Sequence, residues 1–242
     1  MNKWFDFKNE AENSADIYFY GDIVSDEWGK WTDDDCCPKD VADALRECAG
    51  KDLNIYINSG GGSVFGGMAI YNQLMRHSGK KTVHVDGIAG SIASVIAMAG
   101  DEIVMPSNAY LMIHKPWTSA WGENADGLRK LADTLDVLEN GILNVYASRL
   151  ADGVDIDTVK QLVCDETWMT GEQAKDYFNI RVENPVEAVN CVSDCFKNYA
   201  NIPKCLAQKN EQKAKEPPEK EPENKSNQEL EKLQIELDLL SL

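Results

Sequence analysis

HVDGIAGSIASVIAMAGDEIVM, residues 84–105, is the stretch that decides the fold. Its β-branched start predicts a strand, GIAG at 87–90 predicts a turn of small residues, and Ser91 opens an apolar helix that closes at 99–100. A serine at the start of a helix has free backbone N–H groups beside it, and these can stabilise a developing oxyanion. Ser91 is therefore a candidate nucleophile; the alternative is a serine that only caps the helix.

The same order of strand, glycine-rich turn and helix occurs one unit earlier in the chain. A strand at 53–57 leads into NSGGGS at 58–63, and an amphipathic helix follows to about His77. Two such units in succession predict right-handed βαβ connections on a mainly parallel sheet, and so an α/β fold. In a parallel sheet both turns lie at the carboxyl edge of the strands, where active sites collect.

Other segments extend this pattern on both sides. Alternating or β-branched runs predict further strands at 17–24, 82–85, 101–105, 110–113 and 180–183. Helices are predicted at 38–48, 124–150 and 157–163, and a capping box at 170–173 opens another short helix. The helix at 124–150 is long for such a domain and carries an apolar stripe.

The composition of the chain excludes several classes of function and partner. The chain has 242 residues, of which 43% are hydrophobic, enough for a sizeable core. A formal net charge of −17 argues against nucleic acid and against anionic membranes as partners. Without an apolar run of membrane-spanning length or a signal-peptide pattern at the N-terminus, we expect a cytoplasmic protein. Seven cysteines in no regular spacing predict reduced thiols, and we expect neither a metal nor a cofactor.

The composition also divides the chain into three parts. Residues 1–200 carry the globular pattern. Residues 201–228 are rich in Lys, Glu and Pro and predict a flexible linker. Residues 229–242 repeat leucine at three- and four-residue steps, which predicts a short helix or a docking tail.

One histidine stands where a general base would be needed. His114 ends a predicted strand in the polar setting MIHKP and could take the proton from the Ser91 hydroxyl. The glycine turn at 60–62 has neither the spacing nor the lysine of a phosphate-binding loop, which excludes nucleotide binding of that kind. Its glycines instead suit a backbone that approaches an extended peptide closely.

Three motifs in this order resemble the catalytic core of the Clp protease subunit (ClpP) family. They are INSGGGSVFGGMAIYNQL, GIAGSIAS and YLMIHKP, and the resemblance covers about residues 16–183. In detail the chain looks most like the related head-maturation (prohead) proteases of bacteriophages. The resemblance implies a ClpP/crotonase-type α/β fold of repeated ββα and βαβ units, with a mainly parallel sheet and a long protruding handle helix that builds ring interfaces.

The resemblance also implies a role for each matching residue. Ser91 takes the nucleophile position and His114 the general base. The oxyanion hole is implied at the backbone N–H groups of Gly62 and Ile92. Substrate binding is implied for Gly60, Gly61, Lys115 and Pro116. The third triad member falls on Glu166 by register against the following aromatic residue, with Asp165 as the alternative.

The implied function is a serine endopeptidase that processes phage scaffold or capsid precursor protein, as a homo-oligomeric ring in the host cytoplasm or the prohead interior. Gly60 in place of the family's usual proline, a longer acidic segment at 22–35 and the added C-terminal tail argue against docking to a Clp ATPase. Two alternatives stay open: an assembly protein that recruits scaffold through a weakened site, and a crotonase-like acyl-CoA enzyme. The pairing of Ser91 with His114 speaks against the second.

Overall fold

Eight β-strands form one sheet in the computed structural model, which describes residues 7–8, 13–186, 191 and 193–203. The strands are β1 (Phe7–Lys8), β2 (Ser14–Phe19), β3 (Asp52–Ser59), β4 (Lys81–Gly90), β5 (Glu102–Pro106), β6 (Tyr110–Ile113), β7 (Thr167–Thr170) and β8 (Arg181–Glu183). Their order is β1-β2-β3-β4-β5-β8, while β6 pairs with β4 and β7. The pairs β1–β2 and β6–β7 are antiparallel and the others parallel, which confirms the predicted mainly parallel α/β fold.

Helices connect these strands. They are α1 (Pro38–Glu47), α2 (Val64–Arg76), α3 (Ile92–Ala97), α4 (Ala125–Ala147), α5 (Ile156–Cys164) and α6 (Gly171–Ala174), with 3-10 turns at Glu27–Gly29 and Asp194–Asn198. Side-chain caps fix several starts: the hydroxyl oxygen of Ser63 accepts from the N–H of Gly66 ahead of α2. Each helix predicted between residues 38 and 174 is present within a few residues of its expected bounds.

Strand β4 differs from the sequence-based expectation. A strand ending at residue 85 and a separate turn at 87–90 were expected, but the strand runs on to Gly90. Residues 82–84 pair with β5, whereas Ile88 to Gly90 pair with β6. Because β6 supplies backbone partners to the small residues, they continue the sheet instead of turning out of it. The change of direction comes one residue later, at Ser91.

The first predicted strand is also shorter than expected, because it ends at Phe19 and not near residue 24. The chain then crosses to the glycine turn. The N–H of Ile23 donates to the carbonyl of Gly61 at 2.7 Å, and the N–H of Ser63 donates to the carbonyl of Ile23 at 2.7 Å. These two bonds hold the glycine turn against the segment that follows β2.

Helix α4 is buried at one end and exposed at the other. Its last two turns pack into the core through Ile142, Leu143 and Tyr146. Its first half projects, and Leu128 on the apolar stripe is 48% exposed. The helix therefore has the form expected of a protruding handle.

After β8 the chain returns to the carboxyl edge of the sheet. Residues 193–203, called the C-terminal strap below, include the 3-10 turn and the buried side chains of Phe196 and Tyr199. The predicted linker at 201–228 lies outside the described residues beyond Pro203, and so does the predicted tail at 229–242. In the described part of the chain, no helix has the length and apolar character needed to cross a membrane.

Candidate active site

Ser91 lies on the sharp turn between β4 and α3. Its φ of 51° and ψ of −124° place it in a region that residues with a side chain rarely adopt. Although Ser91 precedes the helix, its hydroxyl caps none of the helix N–H groups. Instead its Oγ lies 2.7 Å from Nε2 of His114. The cap alternative therefore does not describe this side chain, which faces an imidazole.

His114 follows directly after β6, at the same edge of the sheet. Burial lowers the pKa of its imidazole, and the negative charge of Glu166 partly offsets this by raising that pKa. A neutral imidazole is thus favoured down to a lower pH than for an exposed histidine. In the neutral form, Nε2 can accept the proton of the Ser91 hydroxyl.

The two carboxylates proposed from sequence have different surroundings. Glu166 has a φ of 49°, and its carboxylate accepts hydrogen bonds from the N–H groups of Ala200 at 3.0 Å and Asn201 at 2.6 Å. Asp165 is exposed, and its carboxylate accepts from the side-chain amide of Gln161. Among the described residues, neither carboxylate has a hydrogen bond to the imidazole of His114. The charge of Glu166 does act on His114, so Glu166 remains our prediction for the acid.

Two glycines bring backbone next to Ser91. Gly61 and Gly62 have φ values of +111° and +139°, which strongly favour glycine. A Cβ on Gly61 would lie 2.7 Å from the Cβ of Ser91, and one on Gly62 would lie 2.1 Å from the carbonyl oxygen of Ile23. The glycine turn is therefore packed against the serine with no room for side chains.

Two backbone N–H groups are free to bind an oxyanion at this place. That of Ile92 is the first of helix α3 and has no acceptor inside the helix. That of Gly62 has no hydrogen-bond acceptor within the part of the chain that the structure describes. Such donors stabilise negative charge without reorganising during the reaction. The predicted roles of Gly62 and Ile92 remain predictions that this geometry permits.

A cleft of about 360 Å³ opens at Ser91 and His114. The residues after Gly62 form one wall, the apolar stripe of α4 with Pro116 and Trp117 forms a second, and the C-terminal strap forms a third. Pro116 thus lines the same cleft as Ser91, and its contact with substrate stays a prediction. The side chain of Lys115 forms an ion pair with the buried Glu139 at 3.1 Å, so its predicted contact with substrate stays a prediction.

Tyr199, on the third wall, was not among the residues selected from sequence. Its hydroxyl donates to the carbonyl of Gly60 at 2.5 Å, and its ring centroid lies 5.1 Å from that of His114. The strap carries no helical or strand periodicity that would have marked it. The available signal was the pair of aromatic residues Phe196 and Tyr199 directly before a stretch rich in Lys and Glu.

Comparison with known proteins places the chain in a family. The Clp protease family model matches residues 42–180, more than half of the chain, and this region includes the serine, the histidine, the glycine turn and both carboxylates. The "ATP-dependent Clp protease proteolytic subunit" of Bacteroides fragilis is 34% identical over 131 residues, covering 53% of this chain and 61% of the relative. The protein of the same name from Ligilactobacillus salivarius is 35% identical over 130 residues, covering 52% and 64%.

The aligned region thus spans 61% and 64% of the length of these relatives. It ends before the C-terminal strap, since the family match stops at residue 180. Fold, motif order and the serine–histidine geometry agree with the match. We conclude that this chain belongs to the Clp protease family.

Proposed function

We propose that this chain is a serine endopeptidase in which Ser91 is the nucleophile and His114 the general base. One observation carries the proposal: the hydroxyl of Ser91, on a strained turn at the carboxyl edge of the sheet, lies 2.7 Å from Nε2 of a half-buried histidine. A nucleophile and a base within hydrogen-bond reach are the minimum that acyl transfer requires.

The reaction would proceed in two halves. His114 accepts the proton of Ser91 as Oγ attacks the peptide carbonyl carbon, and the oxygen that gains charge is bound by the N–H groups of Gly62 and Ile92. The C–N bond then breaks, His114 gives its proton to the leaving amine, and an ester remains on Ser91. Water activated by His114 hydrolyses this ester and regenerates the serine.

The walls of the cleft support an apolar preference in the substrate. Leu131, Leu135 and Leu138 of α4 line it together with Phe65 and Trp117. An apolar side chain next to the cleaved bond would bury its surface there.

The substrate proposed from sequence is scaffold or capsid precursor protein of a phage head. Its support is the likeness of the three motifs to head-maturation proteases, together with the added C-terminal residues that such an assembly would use for docking. We place the proteolytic domain at residues 1–200, the linker at 201–228 and the docking tail at 229–242. Action in the host cytoplasm or inside the prohead, without a Clp ATPase, belongs to this proposal.

We further propose that the chain assembles with copies of itself into a ring. The support is the exposed apolar surface around the start of α4, where Leu128 is 48% and Trp121 is 89% exposed. Large exposed apolar groups on and just before a projecting helix are typical of an interface.

A second candidate function is an assembly protein that recruits scaffold without cutting it. The observation in its favour is that Glu166 makes hydrogen bonds to the strap and none to His114 within the described residues. Without a hydrogen bond from a carboxylate to His114, the site could be too inactive to cleave peptide bonds.

Labelling with a fluorophosphonate and incubation with the scaffold protein separate these functions. The full chain should be labelled and should cleave scaffold, whereas Ser91→Ala should do neither. Ser148 is an exposed serine directly after α4, and the control variant Ser148→Ala should behave as the parent. Full labelling of Ser91→Ala would contradict the nucleophile assignment. Scaffold that binds but stays intact, with no labelling, would favour the assembly protein, and turnover of an acyl-CoA would favour the crotonase-like alternative.

A further inference from the structure

The C-terminal strap lies beyond the region shared with the family, yet it contacts the site at several points. Its start is fixed where the hydroxyl of Ser193 donates to the carboxylate of Asp22 at 2.5 Å. Its end is fixed where the N–H groups of Ala200 and Asn201 donate to Glu166. Tyr199 lies between these anchors, and its side chain is only 8% exposed.

The hydroxyl of Tyr199 acts on the glycine turn. It donates to the carbonyl of Gly60 at 2.5 Å, one peptide before the two glycines with positive φ. Burial raises the pKa of this phenol, so the hydroxyl keeps its proton and remains a donor. Fixing the Gly60 carbonyl limits the rotation of the peptides that present the N–H of Gly62 to an oxyanion.

The ring of Tyr199 acts on His114. The two rings are edge-to-face, with 5.1 Å between centroids and 77° between planes. Trp168 and Phe196 support the tyrosine ring from behind, with centroids at 5.9 and 6.2 Å. Since Nε2 of His114 faces Ser91 and no carboxylate bonds the imidazole within the described residues, this aromatic contact holds the ring in place.

We propose that Tyr199 is a positioning residue of the serine site, which fixes the glycine turn through its hydroxyl and the imidazole of His114 through its ring. The inference rests on the proposed peptidase function. A strap that simply blocked the site would fill the cleft. Ser91, His114 and Tyr199 instead line one open cleft together, so the strap forms a wall and leaves the serine accessible.

Two substitutions separate the two contacts. Tyr199→Phe removes only the hydroxyl, so kcat should fall roughly tenfold, the effect of one lost hydrogen bond to the oxyanion turn, with KM changed less than about twofold. Tyr199→Ala also removes the ring, and kcat should fall on the order of 100-fold, similar to the loss of an oxyanion donor. Tyr177→Phe, the same change at a tyrosine outside the cleft, should match the parent.

The pH profile gives a readout that a merely structural role would not move. Tyr199→Ala lets water reach the imidazole, so the acid limb of kcat/KM should move up in pH toward the ordinary value for histidine. Tyr199→Phe keeps the ring and should leave this limb in place. Glu166, the charged group that acts on His114, is retained in both variants.

Nuclear magnetic resonance titration of the histidines tests the ring contact without using activity. The chain has three histidines, and the signal that is lost in His114→Gln belongs to His114. Its midpoint should be higher in Tyr199→Ala than in the parent and in Tyr199→Phe. Equal midpoints in all three proteins would overturn the ring contact, and unchanged or increased kcat in Tyr199→Phe would overturn the hydroxyl contact. A shifted midpoint in a chain that hydrolyses no peptide would instead reject the proposed function while upholding the contact with the imidazole.

Discussion

The neighbouring carboxylates of Asp165 and Glu166 have different surroundings, although they are one position apart in the chain. The left-handed φ of Glu166 lies between helix α5 and strand β7, where the chain reverses its direction. Glu166 then acts electrostatically on the imidazole of His114, whereas Asp165 remains on the surface with Gln161. Our prediction is therefore that Glu166, and not Asp165, would stabilise an imidazolium formed when Ser91 loses its proton.

We therefore expect Glu166→Gln to lower kcat by on the order of 10²- to 10⁴-fold, since the amide stabilises no positive charge on His114. Asp165→Asn is the matched control and should stay within about twofold of the parent, because an exposed carboxylate contributes little. Single-turnover cleavage of a chromogenic peptide measures both. If the asparagine variant loses activity and the glutamine variant keeps it, the acid is Asp165.

At the scale of elements, the glycine turn has no room for an added side chain. It is clamped by Ile23 on one side and by Tyr199 on the other, and it packs on the serine. Helix α4 offers a contrast within the same chain, because a Cβ on Gly141 would meet nothing within 4 Å.

Gly62→Ala should consequently destabilise the fold by about 2 kcal/mol or more, since the methyl group meets the Ile23 carbonyl at a positive φ. It should also abolish labelling of Ser91 by the fluorophosphonate. Gly141→Ala should stabilise by about 0.5–1 kcal/mol, the cost of glycine inside a helix. Urea unfolding followed by circular dichroism measures both, and equal effects of the two substitutions would contradict the account of the turn.

Periodic elements were predictable from the sequence, whereas the irregular ones were not. The strand at Tyr110–Ile113 and the capping box at Thr170 follow from local residue chemistry and were located correctly. The extension of β4 to Gly90 depends on pairing with β6, a strand twenty residues later. The prediction of a turn at 87–90, made from the local residues alone, was therefore wrong. The strap depends on contacts with Gly60 and Glu166, which no local pattern encodes.

For the whole molecule, the exposed apolar surface around the start of α4 is the feature that favours association with further copies of the chain. Trp121 and Leu128 leave a large apolar area in water next to the cleft without lining it. Burying such groups between copies would stabilise an assembly by about 25 cal/mol for each Å² of apolar surface removed from water. The net charge of −17 means that this attraction must exceed repulsion between like-charged copies.

We expect the double substitution Trp121→Asp and Leu128→Asp to reduce the molar mass measured by light scattering after gel filtration. Lys130→Asp, which places a carboxylate on the same helix at an exposed polar position, should leave the mass unchanged. Added salt should favour the assembled form of the parent, since it screens the repulsion. A parent chain that elutes as a monomer at all concentrations and salt levels would contradict the ring.

The bond from Tyr199 to Gly60 joins residues that are 139 positions apart, and it has a consequence for the order of events during synthesis. Strands and helices that carry Ser91 and His114 can form while the ribosome is still adding later residues, because chains fold from the N-terminal side as they emerge. The third wall of the cleft closes only after the strap has been made. A nascent chain would therefore carry its serine and histidine for some time before Tyr199 contacts the glycine turn, and the proposed cleavage of neighbouring polypeptides would be delayed until that contact forms.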